Sequence, residues 1–587
     1  MAKKSDPARV KQRPASQTAA PSRWPAIAAA AAALIVVFWA YGPAFSGPFL
    51  FDDTTLPFAL TAIGDAPLLA WIKSDRPVLM FTYWINARIS GSDSFSYHVF
   101  NVAIHCITGA IVFLIVRRFL EWSGVETGKR NLLAAFSALL FLLHPAQSEA
   151  VAYLAGRSEA LSVMLVFAAF AVFLYRREPR VGWTTALAVL ILFVASLLSK
   201  QQTIALPGLL LLTDFWWNPG FSFQGIRENW KLYAPLALGA LAGVAFFWRL
   251  LTTATTAGFG MKDLTWYQYF FTECRALFVY LREFVWPFGL NADWDFPISK
   301  TILDRGAVFG LIALLALVGA AWHYRRRYPL ASFGFFAFLV MMAPTSSILP
   351  IQDPVAERRL YFGILGLILT TAGLLSRVKI GRTQLTAGLG VVLALFALVT
   401  HSRAEVWSSA LALWQDAAEK SPDKSRVHFQ LGSAFYDLGS TTGDGRQCQK
   451  AVAEYAKAAQ STPTGTLRYN LLVDWGLALE CAGESQPALE KLLAAASIEQ
   501  TAHVYTQICL VYAQNAHWSE AMDALATAEK LDPSFPWIYV YRGNIYRATN
   551  RFADAAGEYR HALAIDPAMD QAREGLAAAE RALGSRR

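Results

Sequence analysis

Charged side chains are scarce in this chain: 16% of its 587 residues, against 55% hydrophobic and 13% aromatic. That balance excludes an ordinary soluble domain, in which roughly a quarter of residues are charged. With a mean hydropathy of +0.34, most of the chain is expected in lipid. Cysteine is also scarce, five residues with no C-x-x-C pair, which removes the spacing that zinc and dithiol sites use. No basic residues alternate with stacking aromatics along a groove, so the formal charge of +9 is not read as a nucleic-acid footprint.

The charge that is present divides into two regions. Residues 1–401 carry 34 basic and 21 acidic side chains (+13), whereas residues 402–587 carry 18 and 22 (−4). Two stretches with different solvents are the simplest reading. "MAKKSDPARVKQRPASQTAAPSR", residues 1–23, reads as a disordered cytoplasmic tail, and the apolar run from Trp24 to about Phe45 as an uncleaved signal anchor, cleavage near "AFSG" being the alternative. Further spans are expected near 98–116, 131–147, 158–175, 182–198, 203–215, 232–251, 306–322, 330–349, 359–376 and 383–401, making eleven. The 203–215 run is short and carries Pro207, so it is the weakest of them.

With eleven spans the basic clusters Arg117/Arg118, Lys129/Arg130, Arg176/Arg177/Arg180, Arg227/Lys231, Arg325/Arg326/Arg327 and Arg377/Lys379/Arg382 share the cytoplasmic face with the N-terminus. The loops around Asp52/Asp53 and His144, the segment 252–304 and everything after residue 401 then lie outside, in the periplasm or its equivalent. Two outer stretches, 66–84 and 264–286, mix aromatic, apolar and charged residues and read as interfacial helices.

Residues 402–584 contain a repeat. At a shift of 34, Tyr505 meets Tyr539, Tyr512 meets Tyr546, Ala521 meets Ala555, Ala528 meets Ala562 and Pro533 meets Pro567. This is the tetratricopeptide pattern, in which large residues fill the space between paired helices and alanines permit close approach. The fold class expected is therefore all-α: a polytopic helical bundle over 24–401 followed by a repeat solenoid. Cys448 and Cys481 fall on one edge of that solenoid, as a disulfide or as two buried thiols.

Ionisable residues at the outer span ends gather as Asp52/Asp53, Arg76, His98/His105, His144, Glu149, Arg157/Glu159, Lys200 with Gln201/Gln202, and Glu357/Arg358/Arg359. Such groups are costly near lipid and are functional candidates by default. A carboxylate pair joined by Arg, Lys and His suits a phosphate leaving group and an acceptor hydroxyl. Arg157, Lys200 and Arg358 could hold phosphate oxygens, while an Asp removes the hydroxyl proton. A helix cap at Asp52/Asp53 is the bland alternative, and His98/His105 read as a packed pair.

"SDRPVLMFTYWINARISGSDSFSYHVFNVAIHCI", "LLHPAQSEAVAYLAGRSEAL", "SKQQTIALPGLLLLTDF" and "PVAERRLYF", ahead of tetratricopeptide repeats, resemble the transmembrane and tetratricopeptide-repeat O-mannosyltransferases of the GT-C superfamily. The resemblance implies an outward-facing inverting hexosyltransferase. It would use a polyprenyl phosphate-linked monosaccharide to glycosylate Ser/Thr of exported proteins, with the repeats engaging the polypeptide. A lipid or envelope-glycan acceptor, or a non-enzymatic scaffold or lipid-carrier protein, is the alternative. Carried over, Asp53 and Asp52 match the acidic pair given to the catalytic base or a divalent metal, with Asp53 favoured as base. His144, Glu149 and Arg157 match "HP…E…GR", Lys200 the family lysine, and Glu357/Arg358 the late "ER"; these and Arg76 are expected at the donor phosphate or substrate. Gln201 stands where animal relatives commonly carry an acid, which bears on the donor sugar.

Overall fold

A computed structural model describes residues 24–59, 66–253, 258–259, 261, 264–461 and 466–584; the expected tail, 1–23, lies outside the described residues. Every regular element among them is helical, as expected. In chain order the main helices are α1 (Trp24–Tyr41), α2 (Pro77–Ser90), α3 (Ser94–Trp122), α4 (Thr127–Leu143), α5 (Ser148–Ala152), α6 (Arg157–Leu174), α7 (Trp183–Leu197), α8 (Leu206–Trp217), α9 (Trp230–Thr253), α10 (Trp266–Val285), α11 (Ala307–His323), α12 (Pro329–Met342), α13 (Leu360–Arg377) and α14 (Arg382–Val406).

Among the described residues six helices are long and apolar enough to cross a membrane, and seven if α4 and α5, bent by 52° at Pro145, form one span. The chain is thus a multi-pass membrane protein, but eleven full-length spans are not reached. α7 and α12 are apolar but run 15 and 14 residues, about 22 Å at 1.5 Å per residue, short of a ~30 Å hydrocarbon core. α8 has 12 residues, and α9 is not among the six. The short helices end where polar groups intrude: α7 at Ser199 and Lys200, and α12 before the turns of "APTSS".

One continuous apolar core joins helices from α1 to α14. Among its close contacts is α12 on α13, where a Cβ on Gly334 would lie 2.6 Å from the Gly366 carbonyl oxygen; small residues there let two backbones touch.

The solenoid begins with α15 (Ala410–Lys420) and continues as antiparallel pairs: α16 (Ser425–Thr442) with α17 (Gly445–Ser461), α18 (Thr466–Cys481) with α19 (Ser485–Ile498), α20 (Ala502–Gln514) with α21 (Trp518–Leu531), and α22 (Trp537–Ala548) with α23 (Phe552–Ile565), capped by α24 (Asp570–Gly584). The repeat alanines Ala521, Ala528, Ala555 and Ala562 are fully buried between paired helices, and Tyr539 is nearly so. Tyr559 fills the space against Gly543 and Gly575. Cys448 and Cys481 are joined in a disulfide with Cα atoms 5.7 Å apart, tying α17 to α18.

That bond gives a direct check. In protein isolated without reductant, Cys448 and Cys481 are expected to resist alkylation until reduced, and Cys448→Ser to lower the unfolding midpoint in line with a loss of about 2–4 kcal/mol; mass spectrometry of differentially alkylated peptides reads the first, thermal unfolding the second.

Candidate active site

A cavity of about 800 Å³ opens between the helical bundle and the solenoid. Its walls come from six places: Phe51–Leu56 after α1, Arg76–Tyr83 at the start of α2, Glu149–Ser158 around the α5–α6 turn, Lys200 between α7 and α8, and the two loops carrying Ala292–Asp293 and Ile351–Arg359. Trp407, past α14, and Arg426 and Gln430 on α16 close it. Helices α3/α4, α6/α7, α8/α9, α11/α12 and α13/α14 therefore each leave and return to this rim.

The acidic pair divides. Asp52 is exposed and lines the cavity. Asp53 is 1% exposed, its two carboxylate oxygens accepting backbone N–H from Leu50 (3.0 Å) and Ala155 (2.7 Å). It fastens the loop after α1 to the α5–α6 turn, close to the capping role weighed above. Burial pushes the Asp53 carboxyl up to about 7 against the pull of those two donors. Phe51, immediately before the pair, has φ +50°, a costly conformation for a bulky residue. It is held there by rings on either side, Trp414 of the solenoid at 4.4 Å and Tyr153 at 5.7 Å. The Asp52 N–H donates to the Tyr153 hydroxyl oxygen at 3.0 Å.

Arg76, Lys200 and Arg358 face the cavity, besides the buried Arg359 and the solenoid's Arg426. Buried carboxylates support two of the first three from behind. Glu159 accepts from Lys200 and from Gln202, and Glu149 accepts from the Arg358 guanidinium and, at 2.8 Å, from its backbone N–H. Arg76 has no ion-pair partner among the described residues. The turn that carries Glu149 demands glycine at 156, where a Cβ would sit 2.8 Å from the carbonyl oxygens of Glu149, Ala150 and Tyr153.

The remaining expected residues lie behind the wall. Arg157 is fully buried, its guanidinium donating to Asn101 (2.7 Å), Asn86 (2.6 Å) and the Tyr97 carbonyl (3.0 Å); it ties α6 to α2 and α3. His144 stacks on Phe284, with Nε2 3.0 Å from the Phe284 carbonyl oxygen, and its Nδ1 accepts from Ala146 at the α4–α5 bend. Glu357 is buried, accepting from the Asn291 N–H and 3.7 Å from Arg403. His98 contacts the Gly47 carbonyl and His105 the Tyr361 hydroxyl and Leu142 carbonyl, so they pack as separate bundle residues. Glu273 and Glu283 on α10 are buried, Glu273 4.0 Å from Arg359, because α10 turns that face onto the bundle.

Both Asp53 oxygens accept backbone N–H bonds, and Asp52 is the exposed carboxylate of the pair. No group of three or more His, Cys, Asp or Glu among the described residues could hold a metal ion.

Sequence reasoning missed Asp293, Asp353, Arg426 and Gln430. Asp293 accepts from Lys424 (2.6 Å) and Arg426, and Asp353 from Arg426 (2.9 and 3.0 Å) and Lys424 (3.3 Å). Burial acts to raise the Asp353 carboxyl, but Arg426 and Lys424 outweigh it and hold it below its ordinary value. The signal available was the acid-rich "NADWDF" facing "DKSR" at the head of the solenoid.

These features define a class: a multi-pass helical membrane protein whose tetratricopeptide solenoid closes a polar cavity at the rim of the bundle. No protein-family profile matches the chain. Curated relatives do: it is 24% identical to the protein O-mannosyl-transferase F38B6.6 of Caenorhabditis elegans over 63% of this chain and 52% of that one. It is 25% identical to TMTC3 of Mus musculus over 84% and 57%, and 25% identical to TMTC1 of Homo sapiens over 67% and 48%. The chain is thus a distant relative of the TMTC protein O-mannosyl-transferases, and spans about half the length of the curated relatives it matches. Among solved structures, YrrB, a TPR protein with an unusual peptide-binding site, matches with 18% identity and a TM-score of 0.23 over 32% of this chain and 88% of that one, a score too low to carry an argument.

The Asp53 carboxyl titrates at about 7 folded against 3.8 as the ordinary value, so the folded state holds its proton through the intervening window and loses stability as pH rises across it. Asn cannot titrate. The stability advantage of wild type over Asp53→Asn is therefore expected to shrink between about pH 4 and pH 7, which thermal unfolding across that range measures.

Proposed function

We propose that the chain is an integral-membrane glycosyltransferase that moves a monosaccharide, mannose by its relatives, from a polyprenyl phosphate donor to a Ser/Thr hydroxyl of exported polypeptides. The observation that carries this reading is the cavity in which Asp52 shares a wall with Arg76, Lys200 and Arg358. The cations hold the donor phosphate by charge-assisted hydrogen bonds. An apolar groove lined by Val78, Leu190, Ile191, Val194, Ala195 and Leu198 runs on α2 and α7 to within two residues of Arg76 and Lys200, a course that suits the polyprenyl chain.

Asp52 takes the proton of the acceptor hydroxyl as its oxygen bonds to the sugar's C1. The bond from C1 to the phosphate oxygen breaks on the opposite side, leaving its electron pair on polyprenyl phosphate, and the anomeric configuration inverts. Charge grows on the leaving phosphate, where Arg76, Lys200 and Arg358 stabilise it more in the transition state than in the ground state. Asp53 takes no proton from the acceptor; it holds the loop that aims Asp52. Glu149 and Glu159 keep two cations fixed beforehand, so little reorganisation accompanies the reaction.

Topology follows the same reading. Residues in one cavity share one side of the membrane, and five helix pairs return to its rim, so with α1 eleven crossings are needed, α7, α8 and α12 crossing where the bilayer thins around short helices. The arginine clusters then face the cytoplasm, and the disulfide sits on the oxidising side.

With purified protein and polyprenyl phosphate-mannose, Asp52→Asn is expected to lower kcat by about 10²-fold or more with donor KM little changed. Lys200→Met is expected to weaken donor binding and to lower kcat as well. Equal kcat for wild type and Asp52→Asn would remove Asp52 from the role of base.

A further inference from the structure

We infer that the solenoid is part of the transfer site itself: its first two helices position Asp52 and, through Gln430, read the acceptor polypeptide beside the reacting hydroxyl. The inference rests on the transferase reading and deepens it.

Positioning comes from α15. Trp414 is buried at the foot of the solenoid and packs on Phe51, the residue whose left-handed backbone turns Asp52 toward the cavity. Losing that ring removes the solenoid's aromatic support for the strained Phe51, and a bulky residue so released relaxes out of the left-handed region. The aim of Asp52 therefore depends on a side chain 362 positions further along the chain, whatever the acceptor.

Reading comes from α16. Arg426 and Gln430 lie four apart, on one helical face, and both line the cavity. Arg426 is engaged by Asp293 and Asp353, which, with Lys424, makes a seat of two acids and two bases. The solenoid-side wall thus carries no net charge; on the opposite side Lys200 and Arg358 are paired with Glu159 and Glu149, and Arg76 adds one positive charge. The Gln430 side chain makes no hydrogen bond among the described residues, leaving an amide donor and acceptor presented to the cavity, as does that of Gln352 on the facing loop. Uncharged amides match the N–H and C=O groups of an extended backbone, and α16 continues directly into the solenoid. An anionic lipid or phosphorylated glycan acceptor would find no cation free on this wall.

The test uses the full chain in lipid nanodiscs, polyprenyl phosphate-mannose as donor, and a panel of Ser/Thr peptides, with KM and kcat for each substrate. Gln430→Ala removes one uncharged hydrogen-bonding group and is expected to raise the peptide KM about 3- to 10-fold while leaving the donor KM unchanged. Trp414→Phe, which keeps a ring on Phe51, is expected to retain kcat, whereas Trp414→Ala lowers it for every acceptor. Unchanged peptide KM in Gln430→Ala, or donor and peptide KM rising together, would overturn the inference while leaving the transferase reading standing. Wild-type transfer to envelope glycan in preference to peptide would overturn the peptide assignment. No transfer by wild type would sink the transferase reading on which both depend.

Discussion

The ion seat of Asp293 and Asp353 with Lys424 and Arg426 is the constraint on which the cavity depends. These four charges join two loops of the bundle to the head of the solenoid, and neighbouring contacts reinforce the joint: Ser421 donates to the Asp293 carbonyl at 2.9 Å, Lys420 to the Leu290 carbonyl at 2.6 Å, and Arg403 to Asp416 at 2.6 Å. Asp293 is almost fully buried, and stripping a partner from a buried ion costs about 3–5 kcal/mol. A solenoid held this way cannot drift on a linker, so Gln430 and the Trp414 ring keep fixed positions over the bundle.

Behind the exposed Asp52 and the cavity's cations lies a set of buried carboxylates. Glu149 and Glu159 sit under Arg358 and Lys200, and Asp53 sits under the loop of Asp52. Each buried carboxylate is satisfied by N–H donors or a cation, as burial of charge requires. The outer layer is consequently exposed yet fixed, the condition under which electrostatic stabilisation needs no rearrangement. Arg157 and His144 extend the same logic one shell further, locking the turns that carry these acids.

Much of this was legible in the sequence because the physics is local. Repeat periodicity gave the solenoid, since alanine and tyrosine positions are dictated by helix pairing, and ionisable residues at span ends pointed to the rim that holds Asp52, Arg76, Glu149, Lys200 and Arg358. What escaped depends on three-dimensional facing. Two adjacent aspartates are indistinguishable in one dimension, and the strained φ of Phe51, set by a ring from the solenoid, decides which one faces out. The eleven expected spans counted apolar runs, whereas the helices within several runs stop early at polar turns. Arg426 and Asp293 belong to no motif, and only the docking of the solenoid brings them together.

The most direct measurement is transfer of labelled mannose from polyprenyl phosphate-mannose by the purified full chain to exported polypeptides, with the product's linkage and anomeric configuration determined. The account predicts label on Ser or Thr oxygen with configuration opposite to the donor's. Failure of any polyprenyl phosphate-linked hexose to pass to an acceptor, under conditions where the donor demonstrably binds the protein, would contradict it.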